Sequence, residues 1–291
     1  MHAEPFDYRR ADSVSEAIEL LESMDDGRLL AGGQALIPLL KKRKASPGTL
    51  VDISGIEALG GIEDTDAGIR LGALTTHREI TDSSLVGDVV PVLPAAVSKI
   101  SGGIQVHNVA TIGGNIARAH PAYDYAGALL ASEARIHIAG PGGERTVPAT
   151  EFFRGVCETC LGDSELVTGV EIDAADGERT GGYAKRKEPA SGGAVLGIAT
   201  ALSFEGPDRQ RIAAARIAAN GLCGSAVRLD AAEAVLSGSE CTDETIETAA
   251  DAAGDTLAES TILDNKKASA AYRRNLLGPY VRRSINKAVS G

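Results

Sequence analysis

Tryptophan is absent from this chain, and only four phenylalanines and six tyrosines stand among its 291 residues. So sparse an aromatic set excludes a base-stacking platform for single-stranded nucleic acid. Basic residues are outnumbered as well, 29 Lys and Arg against 40 Asp and Glu, for a formal net charge of −11. A surface of that sign repels a phosphate backbone and argues against nucleic-acid binding. It is compatible with adaptation to salt. No apolar run approaches the roughly 20 residues of a membrane span. No secretory leader opens the chain, where His2, Glu4, Asp7, Arg9 and Arg10 crowd together, so a cytoplasmic protein is expected. Cysteine is scarce. Cys157-Glu158-Thr159-Cys160 has the spacing of half a zinc site or of a redox pair, but no second pair follows and no histidine lies beyond His137, so no metal site is expected. Also missing are a Gly-x-Ser-x-Gly elbow, a His-x-x-x-His pair, a Gly-Lys-Ser/Thr phosphate loop and the three-glycine dinucleotide fingerprint. No residue is singled out as a catalytic group, and no internal repeat is present.

What is abundant is glycine, and its placement organises the chain. Thr111-Ile112-Gly113-Gly114-Asn115-Ile116-Ala117 sets two glycines between β-branched residues. Inside a strand such a pair packs nothing; it suits a backbone that must turn and come close to something. An apolar helix follows from Asp124-Tyr125-Ala126 to Leu130. A second such stretch lies about eighty residues upstream: strand-like Leu29-Leu30-Ala31, then Gly32-Gly33-Gln34, then helical Ala35 to Leu40. Glycine turns that feed helices present N–H groups to phosphate. Two of them suit a diphosphate held between two subdomains.

At this length, with 43% hydrophobic residues, about two globular domains are expected. Ser13-Val14-Ser15-Glu16 and Thr76-His77-Arg78-Glu79 read as capping boxes. His77 thereby falls in a first helical turn, with a surface or supporting role. Arg28–Ala31 and Leu50–Ile53 read as strands, and Gly61–Glu63 with Ile69–Leu71 as a hairpin. Val89–Ile100 reads as one helix with prolines near its start. Arg135–Ile138 and Glu165–Ile172 are further strands, with His137 on a strand face. The polar, glycine-bearing stretch Asp173–Gly182 reads as a domain linker. Beyond it, strands at Tyr183–Lys187, Ala194–Phe204 and Arg211–Ala219 precede helices at Ala231–Leu236, Asp243–Leu257 and Ala268–Ala288, an α+β arrangement. The last helix carries Arg273, Arg274, Arg282, Arg283 and Lys287 on what reads as a solvated face, and Gly278-Pro279 is expected to kink it.

The residues also carry a family resemblance. Ala31 to Leu40, Leu50-Val51-Asp52-Ile53, Gly72-Ala73-Leu74-Thr75-Thr76-His77, and Thr111 to Ala117 with Asp124 resemble the FAD-binding medium subunit of molybdenum hydroxylases, the group of aerobic carbon monoxide dehydrogenase and bacterial xanthine dehydrogenase. The likeness continues through Phe152-Phe153-Arg154-Gly155, Glu165-Leu166-Val167-Thr168, Tyr183-Ala184-Lys185 and Ala270-Ala271-Tyr272-Arg273-Arg274, nearly the whole chain. It implies an α+β protein: a two-subdomain FAD-binding fold of the vanillyl-alcohol-oxidase type over residues 1–175 (subdomains about 1–56 and 57–175), then a smaller α+β domain over 183–291. It further implies that Ala31, Gly32, Gly33, Gln34 and Ala35, with Thr111, Ile112, Gly113, Gly114 and Asn115, hold the FAD pyrophosphate mainly through backbone N–H groups. Asp124 would bond the flavin side, Leu166 would pack near the adenine end, and Lys185 would reach FAD from the C-terminal domain. The work implied is electron transfer, from a molybdopterin-binding large subunit through a [2Fe–2S] small subunit and FAD to NAD, quinone or oxygen, in a dimer of heterotrimers. The clusters and the molybdenum centre would lie on the partners, since this chain lacks the cysteines for them.

Two departures bear on the flavin. His120-Pro121-Ala122-Tyr123-Asp124 stands where the family has Asp-Pro-Ala-x-Asp, and Ser191-Gly192-Gly193-Ala194 stands where an aromatic residue covers the ring system. Two other readings compete: a self-contained flavin oxidase or dehydrogenase of the same fold class, with His107 or His120 as its candidate flavin-linking histidine, and a non-catalytic nucleotide-binding or scaffold protein.

Overall fold

The computed structural model describes residues 2–174 and 177–291. Three units follow one another. In the first, β1 (Asp7–Arg10), α1 (Val14–Glu22), β2 (Gly27–Leu30), α2 (Leu36–Lys41) and β3 (Thr49–Asp52) form a parallel sheet in the order β1-β3-β2. Ser13 caps α1 by accepting from the Glu16 N–H, while Glu16 reaches back to the N–H of Asp12, so the expected box closes one residue early.

The second unit opens with the hairpin β4 (Ile62–Thr65) and β5 (Gly68–Gly72). Six short helices follow: α3 (His77–Asp82), α4 (Ser84–Val89), α5 (Val92–Val97), α6 (Gly103–His107), α7 (Ile112–Arg118) and α8 (Tyr125–Ala131). Then come β6 (Arg135–Gly140), β7 (Gly143–Pro148), α9 (Ala149–Phe152), β8 (Phe153–Gly155), β9 (Glu158–Thr159) and β10 (Leu166–Asp173). Its five-stranded sheet is antiparallel throughout, in the order β4-β5-β10-β6-β7. The third unit is the antiparallel sheet β11 (Glu178–Lys187), β12 (Ala194–Phe204), β13 (Ile212–Asn220) and β14 (Val227–Arg228), followed by α10 (Asp230–Leu236), α11 (Asp243–Ala252) and α12 (Ala270–Ser290). The chain is α+β, as expected.

Four expectations change, each for a physical reason. The single helix over 89–100 is two, because Pro91 cannot continue α4 and holds the preceding Val90 at φ −137°, ψ 64°, outside the helical region. Gly113 and Gly114 lie within α7, in its first turn below the Thr111 cap, and not in a turn that feeds the helix at Asp124. The second half of the stretch read as a linker is the start of strand β11. Its glycines serve close packing: a Cβ on Gly181 would stand 2.1 Å from the Val92 nitrogen of α5, and one on Gly182 would stand 2.1 Å from the Ser284 oxygen of α12. The middle of that stretch, Ala175 and Asp176, lies outside the described residues, as does the domain boundary placed at 175. Finally, on α12, which contains Pro279, Arg273 leaves the solvated face altogether: it is 2% exposed, with its guanidinium bonded to the backbone oxygens of Leu263, Val195 and Gly221.

The core lies in three clusters: under the first sheet (Ala17, Val51, Leu166), between the five-stranded sheet and the short helices (Leu71, Leu93, Leu129), and between the last sheet and α10–α12 (Ile198, Ile217, Val281). Helix α8 joins the second unit to the third. Tyr125, Ala128, Leu129 and Leu130 are all buried, against α5 on one side and β12 and β13 on the other. Among the described residues no helix is long and apolar enough to cross a membrane.

Candidate functional site

The two glycine stretches meet. Gly32 packs so tightly on the backbone ahead of α7 that a Cβ would lie 1.8 Å from the Val109 oxygen. On the other side, Gly114 is exposed, and a Cβ there would come 3.9 Å from the Ala31 side chain. A narrow cleft thus runs between Ala31–Ala35 and the outer face of α7.

The two walls differ in what they can offer. Among the described residues no acceptor takes the N–H groups of Gly32, Gly33, Gln34 or Ala35, which precede and open α2; Gly33 reaches this geometry at φ +69°. Opposite, the α7 N–H groups are already partnered: Ile112 donates to the Thr75 oxygen at 3.0 Å, Gly113 to the Ala73 oxygen at 2.8 Å, Gly114 to Thr111 Oγ1 at 3.2 Å and Asn115 to the Thr111 oxygen at 3.0 Å. That wall therefore presents the bare Cα of Gly114, with the buried Thr111 hydroxyl beneath it and the half-buried Asn115 next in the chain. Gly113 is buried because it packs on the chain itself, where a Cβ would stand 2.7 Å from the Ala73 Cβ and oxygen. A dinucleotide diphosphate fits such a cleft: four free donors on one side, and on the other a surface that a single Cβ would fill.

Behind the α7 wall stands His77. It is 1% exposed, which leaves the supporting role of the two the sequence suggests; its Nδ1 lies 2.9 Å from the Tyr125 hydroxyl, from which it accepts in the Nε2–H tautomer, and its backbone N–H holds the Ala110 oxygen. Burial, with the His107 ring beside it, pulls its pKa down to about 3, so the neutral imidazole is the folded form.

Asp124 and Lys185 are brought together across the seam between the second and third units, Lys185 Nζ donating to Asp124 Oδ2 at 2.6 Å with both side chains no more than 4% exposed. Lys185 also donates to the Lys99 oxygen at 3.1 Å. Tyr183 donates to Asp124 Oδ1 at 2.5 Å and lies 3.0 Å from the Asn220 side chain. A hydroxyl has one proton, so the Asn220 amide turned to offer its N–H to Tyr183 completes the chain. Burial pushes the Asp124 carboxyl above the usual carboxylate range, and the Lys185 ammonium and Tyr183 hydroxyl pull against it. Gly127 and Gly197 make room for this cluster: a Cβ on either would stand within 2.8 Å of Asn220. Sequence reasoning did not pick out Asn220 or the Tyr125–His77 pair, and its one signal for Tyr183 was adjacency to Lys185.

Leu166 is buried in the first core cluster, which Ala31 also borders, so it backs the first loop from within. His120 is half-buried, its ring 5.2 Å from that of Tyr123. Its Nδ1 accepts from the Ala122 N–H, and burial depresses its pKa, with Arg118 and Lys267 adding to the effect. Cys157 and Cys160 are free thiols beside the β8–β9 hairpin.

This cleft between two glycine loops, with a third unit clamped on the seam, defines a class. Residues 4–174 match the FAD binding domain in molybdopterin dehydrogenase, and residues 182–288 match the CO dehydrogenase flavoprotein C-terminal domain. The chain belongs to that family of FAD-binding medium chains. It is 34% identical to the carbon monoxide dehydrogenase medium chain of Hydrogenophaga pseudoflava, over 97% of this chain and 96% of that one. It is 33% identical to the glyceraldehyde dehydrogenase medium chain of Sulfolobus acidocaldarius, over 95% and 96%. Its fold matches the H. pseudoflava carbon monoxide dehydrogenase structure with a TM-score of 0.92 over 100% and 99% of the chains, and quinoline 2-oxidoreductase from Pseudomonas putida 86 with 0.91 at 30% identity over the same shares. FAD is the cofactor, and the chain is an oxidoreductase subunit.

Proposed function

We propose that this chain receives electrons from [2Fe–2S] clusters on a small partner subunit and passes them through FAD to an external acceptor, while substrate is oxidised on a molybdopterin-binding large subunit. The observation that carries this reading is the meeting of the two glycine loops, free donors on one side and a bare Cα on the other. Ala31, Gly32, Gly33, Gln34 and Ala35 hold the diphosphate by their N–H groups. Thr111 caps the opposite wall, which Ile112 and Gly113 anchor, Asn115 adds a side-chain donor, and Gly114 lets the ligand approach. Leu166 supports the adenine end; Asp124 and Lys185 fix the flavin end and clamp the C-terminal domain over it. Bound there, FAD supplies the exchange between one-electron and two-electron transfer.

The names of the relatives, medium chains of dehydrogenases, favour a complex over a self-contained oxidase. We place the division at 1–175 and 183–291, the assembly as a dimer of heterotrimers in the cytoplasm, and the acceptor among NAD, quinone and oxygen. Purification from the native host tests the reading. Flavin released on denaturation, together with accompanying chains that carry molybdenum and iron, is the expected result; flavin that stays attached to a chain purified alone would overturn it in favour of the self-contained enzyme.

A further inference from the structure

Three segments converge beside the flavin end of the proposed site. Arg118–Tyr123 leaves α7 through Ala119 at φ +44°. The turn after β11, Glu188–Gly193, lies against it: the Ala194 N–H donates to the Ala122 oxygen at 3.0 Å, and a Cβ on Gly193 would stand 3.2 Å from that of Ala122. The third segment, Asn265–Ala268, is held by Arg273, whose Nη2 donates to Asn265 Oδ1 at 3.1 Å while Nη1 donates to the Gly221 oxygen at 2.6 Å and to the Val195 oxygen. Around the half-exposed His120 this convergence sets Arg118 and Lys267, each of which adds to burial in depressing its pKa, while Lys187 lies on the Asp124 side; both lysines are exposed. None of the three has a carboxylate within salt-bridge distance among the described residues, in a chain whose net charge is −11. The carboxylate nearest in sequence, Glu188, accepts from the N–H groups of Ala190 and Ser191, at 3.1 and 2.6 Å, and feels Lys267 through space without a salt bridge to it. Asp264 accepts from the Ala270 N–H.

Three cations without a salt bridge among the described residues, gathered on an acidic protein with Glu188 as the carboxylate in range of Lys267, suit a small anion. We propose that Arg118, Lys187 and Lys267 form a rim that binds the anionic part of the small electron acceptor; this rests on the reading that FAD occupies the cleft. The rim only holds and steers. Two electrons pass to the acceptor, or one to each of two one-electron acceptors, and any proton released goes to solvent.

Ferrocyanide, already reduced, serves as a non-reacting probe for the full chain, read by calorimetry at low ionic strength. Arg118→Gln with Lys267→Gln is expected to weaken its binding about tenfold, an effect that salt screens. Lys42→Gln with Lys44→Gln, an equal change of charge on a remote exposed turn, is expected to weaken it less than twofold. Equal losses in the two pairs, or no loss in the first, would overturn the proposal. In the complex reduced with dithionite, the first pair should slow ferricyanide reduction about tenfold and leave a neutral benzoquinone unaffected; equal slowing of both also overturns it. Flavin content is measured separately. A chain that retains no FAD sinks the functional reading, while the ferrocyanide comparison still decides whether the rim binds anions.

Discussion

The two glycine loops look alike in sequence and are built for opposite tasks. Each has one glycine pressed against the chain, Gly32 on Val109 and Gly113 on Ala73. They part company in their donors: the loop at 31–35 keeps its N–H groups free, whereas α7 gives its own to Thr75, Ala73 and Thr111. The first loop can grip a phosphate. The second is a finished wall, whose contribution is shape. A glycine pair therefore reports close approach without saying what approaches, and in α7 the answer differs between neighbours.

Substitution separates the two kinds of glycine. Gly32→Val and Gly113→Val force side chains into backbone 1.8 and 2.7 Å away. Each should destabilise the chain by about 3 kcal/mol or more, seen as loss of soluble protein or a large fall in melting temperature. A variant at either position that melts like the wild type would mean the walls are not in contact. The buried pair on the seam gives the next largest effect. Lys185→Met leaves the buried Asp124 without its cation and with the Tyr183 hydroxyl as its remaining partner, at a cost of about 3 kcal/mol, and adding Asp124→Leu should recover much of it. Equal stability of the single and double variants in denaturant titrations would contradict that account.

Gly114→Val sharpens the comparison, because Gly114 alone of the α7 pair faces the cleft. Its FAD dissociation constant should rise at least about a hundredfold, about 2.7 kcal/mol. The melting temperature of the FAD-free chain should move by only a few degrees. Flavin titration reads the first and calorimetry the second; a folded variant with unaltered affinity would remove α7 from the cofactor site.

Much of this was legible beforehand. The stretch Ala194–Phe204 forms strand β12 with the bounds expected of it, and Thr76-His77-Arg78-Glu79 forms the capping box its spacing implies. What could not be read was mostly close packing between distant segments. Gly181 and Gly182 resemble a linker until α5 and α12 are seen on either side. Arg273 resembles its solvated neighbours Arg282 and Arg283, because only the fold brings the Leu263, Val195 and Gly221 oxygens to its guanidinium. Thr111 takes the N–H groups of Gly114 and Asn115 locally, but those of Ile112 and Gly113 go to Thr75 and Ala73, far back in the chain and beyond any local pattern.

His77 supplies the smallest effect and a test of how the finished wall is held. Its imidazole is neutral when folded, with a pKa near 3, against about 6.5 in an unfolded chain. Above pH 6.5 both states are neutral and the difference contributes nothing. As pH falls below 6.5 the unfolded chain takes up a proton that the folded one refuses, so stability drops progressively toward pH 3. At pH 5 the loss amounts to about 2 kcal/mol. His120, also depressed by burial, adds in the same direction, so the quantity to measure is the difference between wild type and His77→Gln, whose amide can still accept from Tyr125. The variant should lose less stability between pH 7.5 and pH 5 than the wild type. Parallel loss in the two proteins would mean that His77 opens to water before it titrates, and that the α7 wall is looser than the cleft requires.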